Sequence, residues 1–189
     1  MSPVLAKVAT AVAGWSPPIG SVADNSGTID TVFESERLVC RRWTSDDLDA
    51  IYEVYSDEEG ARWVDDGTPI TREECEQWLV TTQKNYDQRG YGMFALDEKM
   101  SEQTIGFCGL VHPNGQILAE VKYAFLRSHW GQGLASEAIP FLLSYGANMH
   151  RLSEIIATVD QDNIASQRVL QKSNMKYSHK TRESNGSYT

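Results

Sequence analysis

The chain has 189 residues, 41% hydrophobic and 23% charged, the size and balance of one globular domain with a sizeable core and no apolar run long enough to span a bilayer. Its 17 Lys and Arg against 26 Asp and Glu give a formal charge of −9, which argues against a nucleic-acid surface and permits cationic partners such as amines. Cys40, Cys75 and Cys108, like His112, His129, His150 and His179, lack metal or redox spacing, so we expect reduced core thiols, a cytoplasmic setting and no metal site.

Residues 1–32 are rich in Ala, Val, Ser, Gly and Pro, with Lys7 as the only basic residue. A secretory reading would need Val8 to Trp15 as its apolar core, which is weak and soon meets Pro17-Pro18. We expect a flexible or surface-docked extension, with residues 33–189 as the domain. Arg37 to Arg42 alternates, with Leu38 and Cys40 on one face, and predicts a strand. Thr44 or Ser45 caps a helix from Asp46 to about Tyr55. Asp57 to Gly67 is an acidic connection that contains Trp63, and Trp63, Trp78 and Tyr86 are either core aromatics or the lining of a pocket.

Thr71-Arg72-Glu73-Glu74 is a capping box opening a helix. Its stripe is Cys75, Trp78, Leu79, Thr82 and Tyr86, and Gly90 ends it. Strands are expected near Tyr91–Leu96 and Thr104–Val111, joined through Asp97 to Gln103. Pro113-Asn114-Gly115 turns the chain into a strand from Glu120 to Leu126. A helix carries Leu134, Ala138, Phe141, Leu142 and Tyr145 on one side, and Pro140 should kink it or shift its start. Glu154 to Asp160 has the Ile, Thr and Val of a buried strand. Asp162 or Asn163 caps the last helix, burying Ile164, Val169 and Leu170. Met175 to Thr181 predicts a strand, followed by an Asn185-Gly186 turn. The whole is a mixed α/β (α+β) layer structure.

Between strand and helix lies His129-Trp130-Gly131-Gln132-Gly133-Leu134-Ala135-Ser136. Gly131 and Gly133 permit backbone angles closed to other residues, and the following helix amides are unpaired and partly positive. That is a cradle for a phosphate or pyrophosphate, although a short Gly-x-Gly equally suits an ordinary turn. It lacks the Lys-Ser/Thr pair of a P-loop.

Taken with Glu120-Val121-Lys122-Tyr123-Ala124-Phe125-Leu126 upstream and Asn163-Ile164-Ala165-Ser166 downstream, this order resembles the GNAT superfamily of acetyl-CoA-dependent N-acetyltransferases. Within it the chain is most similar to the Rim-type branch, which includes ribosomal-protein N-terminal acetyltransferases. The superfamily signature is Arg/Gln-x-x-Gly-x-Gly/Ala. Trp130 holds its first position, a departure common in the Rim-type branch, and Gly133 and Ala135 hold the fourth and last. The resemblance covers about Phe33 to Tyr177.

It implies a central, mostly antiparallel mixed sheet flanked by helices, here with a shortened C-terminal strand and an exposed sheet edge. It implies direct attack of an amine on acetyl-CoA in a ternary complex, which leaves the cysteines dispensable. Backbone groups of Phe125, Leu126 and Arg127 would pair with the pantetheine arm, and those of Trp130, Gly131, Gln132, Gly133, Leu134, Ala135 and Ser136 would cradle the pyrophosphate. Asn163 would both cap its helix and contact the cofactor. Glu120 is the candidate for deprotonating or orienting the amine, against a salt-bridged surface role. Ser166 is the candidate proton donor to the leaving thiolate, matching a serine that some Rim-type relatives use in place of the tyrosine that others carry where Leu170 stands, against a packing role at the helix start. Asp57, Glu58, Glu59, Asp65 and Asp66 lie where the family meets its acceptor, although a solvated loop explains them equally. The acceptor would be a protein N-terminus or a small-molecule amine, and the assembly a monomer or homodimer. The competing reading is a non-catalytic acetyl-CoA-binding or interaction module.

Overall fold

A computed structural model describes residues 4–10, 30–64 and 67–180, with side chains given outside 4–10 and 178–180. Strand β1 is Val4–Thr10, β2 is Thr31–Glu34 and β3 is Leu38–Arg41. A single turn, Ser45–Asp47, precedes helix α1, Leu48–Ser56. Thr44 and Asp47 cap that turn reciprocally, so the expected helix is divided in two. The acidic connection contains a short helix α2, Glu58–Ala61, capped by Asp57. Helix α3, Arg72–Arg89, opens on the Thr71/Glu74 capping box and ends at Gly90, whose φ of 79° needs glycine.

Strands β4 (Met93–Glu98), β5 (Gln103–Val111) and β6 (Ala119–Phe125) form a meander. Helix α4 (Leu134–His150) runs through Pro140, which neither ends it nor shifts its start. Strand β7 (Glu154–Asp160), helix α5 (Ile164–Lys172) and strand β8 (Lys176–Lys180) complete the chain.

The sheet order is β2-β3-β4-β5-β6-β7-β1-β8. Every pairing is antiparallel except β6 with β7, which is parallel and limited to Ala119 with Ile155 and Glu120 with Ile156. Beyond Glu120 the two strands part, and the sheet opens. That split positions the site.

Period-2 alternation assigns the two faces. Met93 and Ala95 of β4 join Phe107, Trp43, Ile51, Tyr55 and Cys75 under α1 and α3. Phe94 and Leu96 join Leu110, Val121, Leu134, Ile139, Leu142 and Leu170 under α4 and α5. The α3 stripe is as read, with Cys75, Thr82 and Tyr86 buried. The three cysteines are free and buried. Ile164 departs from expectation: it is 50% exposed, while Leu170 anchors α5.

The larger departure is at the N-terminus. Residues 4–10, read as part of an extension outside the domain, are a strand inserted between β7 and β8. Val, Leu and Thr in Val4-Leu5-Ala6-Lys7-Val8-Ala9-Thr10 suit a strand, yet so short a run has no local partner to reveal it. The boundary at 32/33 likewise falls inside β2. β1 thus fills the place between β7 and the short β8, and β8 ends the sheet on that side among the described residues. Asn185-Gly186 lies outside the described residues.

Candidate active site

The glycine turn is held from behind. Gly131 (φ 75°) and Gly133 (φ 80°) are both left-handed. A Cβ at Gly131 would meet nothing within 4 Å, and at Gly133 only the Arg37 guanidinium at 3.9 Å. The glycines therefore serve the backbone angle and leave the space above the turn open.

Arg37 Nη1 donates to the Gln132 carbonyl at 3.0 Å, and its guanidinium pairs with Glu137 at 2.7 Å. Ser35 Oγ and the Arg37 amide also donate to Glu137, at 2.7 and 2.8 Å. Burial pulls the Glu137 carboxyl upward, but these donors outweigh it and hold it below the usual carboxylate range. With the turn's carbonyl fixed on one side, the first amides of α4 face the other. No side chain caps α4 at Gly133, so these amides are available to an anion.

One cleft of about 650 Å³ joins this turn to the opening in the sheet. Of the residues read from sequence, it is lined by Phe125, Trp130, Gly131, Gly133, Leu134, Ala135, Ser136, Asn163 and Ser166. Leu126, Arg127, Gln132 and Glu120 do not line it. The Leu126 amide donates to the Ile105 carbonyl at 2.8 Å, and the Leu126 and Arg127 carbonyls accept from His129 and Trp130. Those three hydrogen bonds close the turn. The Gln132 side chain bonds Ser128, and Trp130 Nε1 donates to the Phe125 carbonyl at 2.8 Å.

Asn163 caps α5, its Oδ1 accepting from the Ser166 amide at 2.9 Å. Ser166 Oγ lies 2.7 Å from the Tyr123 hydroxyl. Burial pushes that phenol up to about 12, with the Ser166 contact opposing in part. Sequence reading missed Tyr123, because only the fold brings β6 against α5. It also missed Arg168 and Lys172, which line the cleft four residues apart on α5 and suit an anionic ligand. Their i,i+4 spacing was the available signal.

Glu120 is 3% exposed at the point where β6 and β7 part. Its carboxylate accepts from Thr158 Oγ1, from Lys122 Nζ at 2.6 Å and from Gln116 Nε2 at 3.2 Å. Lys122 and Thr158 line the cleft in front of it. Tyr55, Trp63, Trp78, Met93 and Phe107 line the face under α1 and α3, with the Tyr55 and Phe107 rings stacked at 4.8 Å. Tyr86 is instead core, donating to the Met93 carbonyl. Asp57 is spent capping α2 and pairing with Arg127 at 3.5 Å, and Glu58 and Glu59 are exposed. Asp65 and Asp66 lie outside the described residues.

A family model for the acetyltransferase (GNAT) domain matches residues 37–176. The chain belongs to the GNAT acetyltransferase family. It is 34% identical over 144 residues to the uncharacterized N-acetyltransferase YoaA of Bacillus subtilis, covering 75% of this chain and 80% of that one. It is 31% identical over 140 residues to the uncharacterized N-acetyltransferase p20 of Bacillus licheniformis, covering 72% and 77%. Among solved structures, a GNAT-family acetyltransferase from Bacillus anthracis superposes with a TM-score of 0.68 at 24% identity, over 82% of this chain and 92% of that one. The RimL ribosomal L7/L12 α-N-protein acetyltransferase, solved with coenzyme A, gives 0.70 at 18% identity, over 84% and 92%. The GNAT fold is thus a mostly antiparallel mixed sheet flanked by helices, and this member is an acyltransferase using acetyl-CoA. Among the described residues, no helix is long and apolar enough to cross a membrane.

Proposed function

We propose that the cleft transfers an acetyl group from acetyl-CoA to a primary amine, a protein N-terminus or a small molecule, by direct attack in a ternary complex of the Rim-type pattern. The observation that carries this reading is the continuity of one cleft. It runs from the uncapped start of α4, past the Tyr123–Ser166 pair, to the aromatic face under α1 and α3.

The open glycine turn and the cations Arg168 and Lys172 suit the phosphates of acetyl-CoA, which supplies the activated thioester. Phe125, Trp130, Gly131, Gly133, Leu134, Ala135, Ser136 and Asn163 would form its wall. Leu126, Arg127 and Gln132 act behind that wall, shaping the turn. Ser166 Oγ is placed to give a proton to the departing sulfur, and the Tyr123 hydroxyl holds that oxygen in position. The proton that the nitrogen sheds on attack replaces the one Ser166 Oγ gives to the sulfur, so the serine is returned to its starting state and the transfer is proton-neutral overall. Glu120 has an orienting role: it holds Lys122 and Thr158 at the opening of the sheet. The Lys122 ammonium in turn favours the neutral, nucleophilic form of an incoming amine.

The test is release of free thiol from acetyl-CoA across a panel of peptides and small amines, with calorimetry of acetyl-CoA alongside. Acceptor-dependent release is expected. Tight acetyl-CoA binding with no accelerated release by any acceptor overturns the reading.

A further inference from the structure

The acceptor end of the cleft carries a cation that a polycationic amine would not favour. Lys122 lies on β6 between Val121 and Tyr123, which pack toward α4 and α5, and it shares the opposite face with Ala124, which packs in the cluster with Phe107 and Trp78. Strand alternation therefore turns Lys122 toward the aromatic side, away from the face that carries the Tyr123–Ser166 pair. An ammonium has three protons to donate. One goes to Glu120 at 2.6 Å and one to Thr158 Oγ1 at 3.3 Å, which leaves a third for the cleft. The Lys122 side chain is 31% exposed, against 4% for Glu120. The lysine faces the ligand, and the glutamate stands behind it.

Charge across the whole cleft agrees. Among its described lining residues, Arg62, Lys122, Arg168 and Lys172 stand against Asp160, with Glu120 pairing Lys122 from behind, in a chain whose formal charge is −9. Arg168 and Lys172 are on α5, beside the turn that takes the donor's phosphates. Arg62, stacked at 4.9 Å on the Trp63 ring, and Lys122 are left for the acceptor.

We propose that the acceptor is a primary amine with an apolar or aromatic body and an acidic group a few atoms from the nitrogen, and that Lys122 binds this acid. The proposal rests on the acetyl-transfer reading and names its substrate class. Amino acids and short peptides with an acidic N-terminal residue fit; polyamines do not. Engaging the acid anchors the nitrogen beside the opening of the sheet, while the aromatic wall of Tyr55, Trp63, Trp78 and Phe107 takes the body. A charge-assisted bond of this kind gives geometry as well as affinity.

The experiment is calorimetry on protein saturated with coenzyme A, using 3-phenylpropionate and phenethylamine as matched probes with and without the acid. The acid is expected to bind about tenfold tighter, a difference of about 1.4 kcal/mol. Lys122→Met should abolish that preference, and Lys122→Arg should retain it. Because Lys122→Met leaves a buried carboxylate without its ion pair, the double variant Glu120→Gln/Lys122→Met is measured as well; it too should lose the preference. Thiol release should then favour L-phenylalanine over phenethylamine and over spermidine. Equal binding of the two probes, or a preference that survives in both methionine variants, overturns the proposal. Preferential binding of the acid with no thiol released by any acceptor keeps the subsite and overturns the transfer reading instead.

Discussion

Gly133 is the residue on which the proposed donor site depends most sharply. Its φ of 80° and the open space in front of it put the α4 amides within reach of an anion. Gly133→Val adds a branched side chain at a left-handed position. Loss of two or three anion contacts at about 1 kcal/mol each implies roughly thirty- to hundred-and-fifty-fold weaker coenzyme A binding. Gln132→Ala should bind almost as wild type, since its backbone carbonyl is what Arg37 holds. Calorimetry with coenzyme A and dephospho-coenzyme A decides, with circular dichroism confirming the fold; wild-type affinity in folded Gly133→Val would show the cradle to be misplaced. At Tyr123 the expectation is different. Tyr123→Phe removes the hydroxyl that meets Ser166 Oγ at 2.7 Å, a bond of about 1 kcal/mol. We expect roughly fivefold lower kcat with acetyl-CoA affinity unchanged. Equal losses in kcat and in affinity would make the tyrosine merely structural.

At the scale of elements, the junction of α4 with the start of β4 makes stability depend on pH. His150 ends α4 with its ring against Tyr91 at 4.7 Å and Tyr145 at 4.9 Å, and its Nε2 is buried without a hydrogen-bond partner among the described residues. Burial, reinforced by the nearby Arg42 charge, holds it below the ordinary histidine value. The unfolded chain therefore takes up this proton more readily than the folded one. The contribution is present above about pH 6.5, the ordinary histidine value, and is lost as pH falls through the folded value. Melting temperature should drop between pH 7 and pH 5, and His150→Phe should flatten that slope; a slope that does not change between the two proteins removes His150 as its source.

Elements whose signals are local were legible in the sequence. The Thr71/Glu74 capping box, the Gly90 stop and the alternation of Leu38 and Cys40 each lie within a few residues of what they determine. The glycine turn was legible for the same reason. Lys122, Tyr123 and the Arg168/Lys172 pair were not read as site residues, because each acquires its role from a neighbour on another element. Glu120 was found, but its place behind Lys122 depends on Thr158 and Gln116, which only the fold brings to it. The hydrogen bonds that Leu126 and Arg127 make to Ile105, His129 and Trp130 were not legible either, because they depend on how the turn folds back on β5 and on itself.

For the molecule as a whole, β1 is the segment whose removal says most. It matches seven positions of β7, Val4 with Asp160 through Thr10 with Glu154, and pairs β8 on its other side. Deleting residues 1–10 would open two strand edges at once, and open edges pair with other chains. We expect a lower melting temperature and concentration-dependent association in light scattering, with coenzyme A affinity less affected, because the glycine turn lies across β6 from this end of the sheet. A monomeric deletion variant that melts like the full chain would mean that β1 contributes little.

The same strand imposes an order of events during synthesis. Val4–Thr10 leaves the ribosome before the other described elements, while its two partners, Glu154–Asp160 and Lys176–Lys180, are the last of the described strands to follow. At roughly 5–20 residues per second, the first strand must wait about ten to thirty seconds for a neighbour. Until then β2 to β6 can assemble as a local meander, but the sheet cannot close across its far side. The first of the described strands is thus among the last to be paired, and its neighbours in the sheet become available only when Glu154–Asp160 has been made.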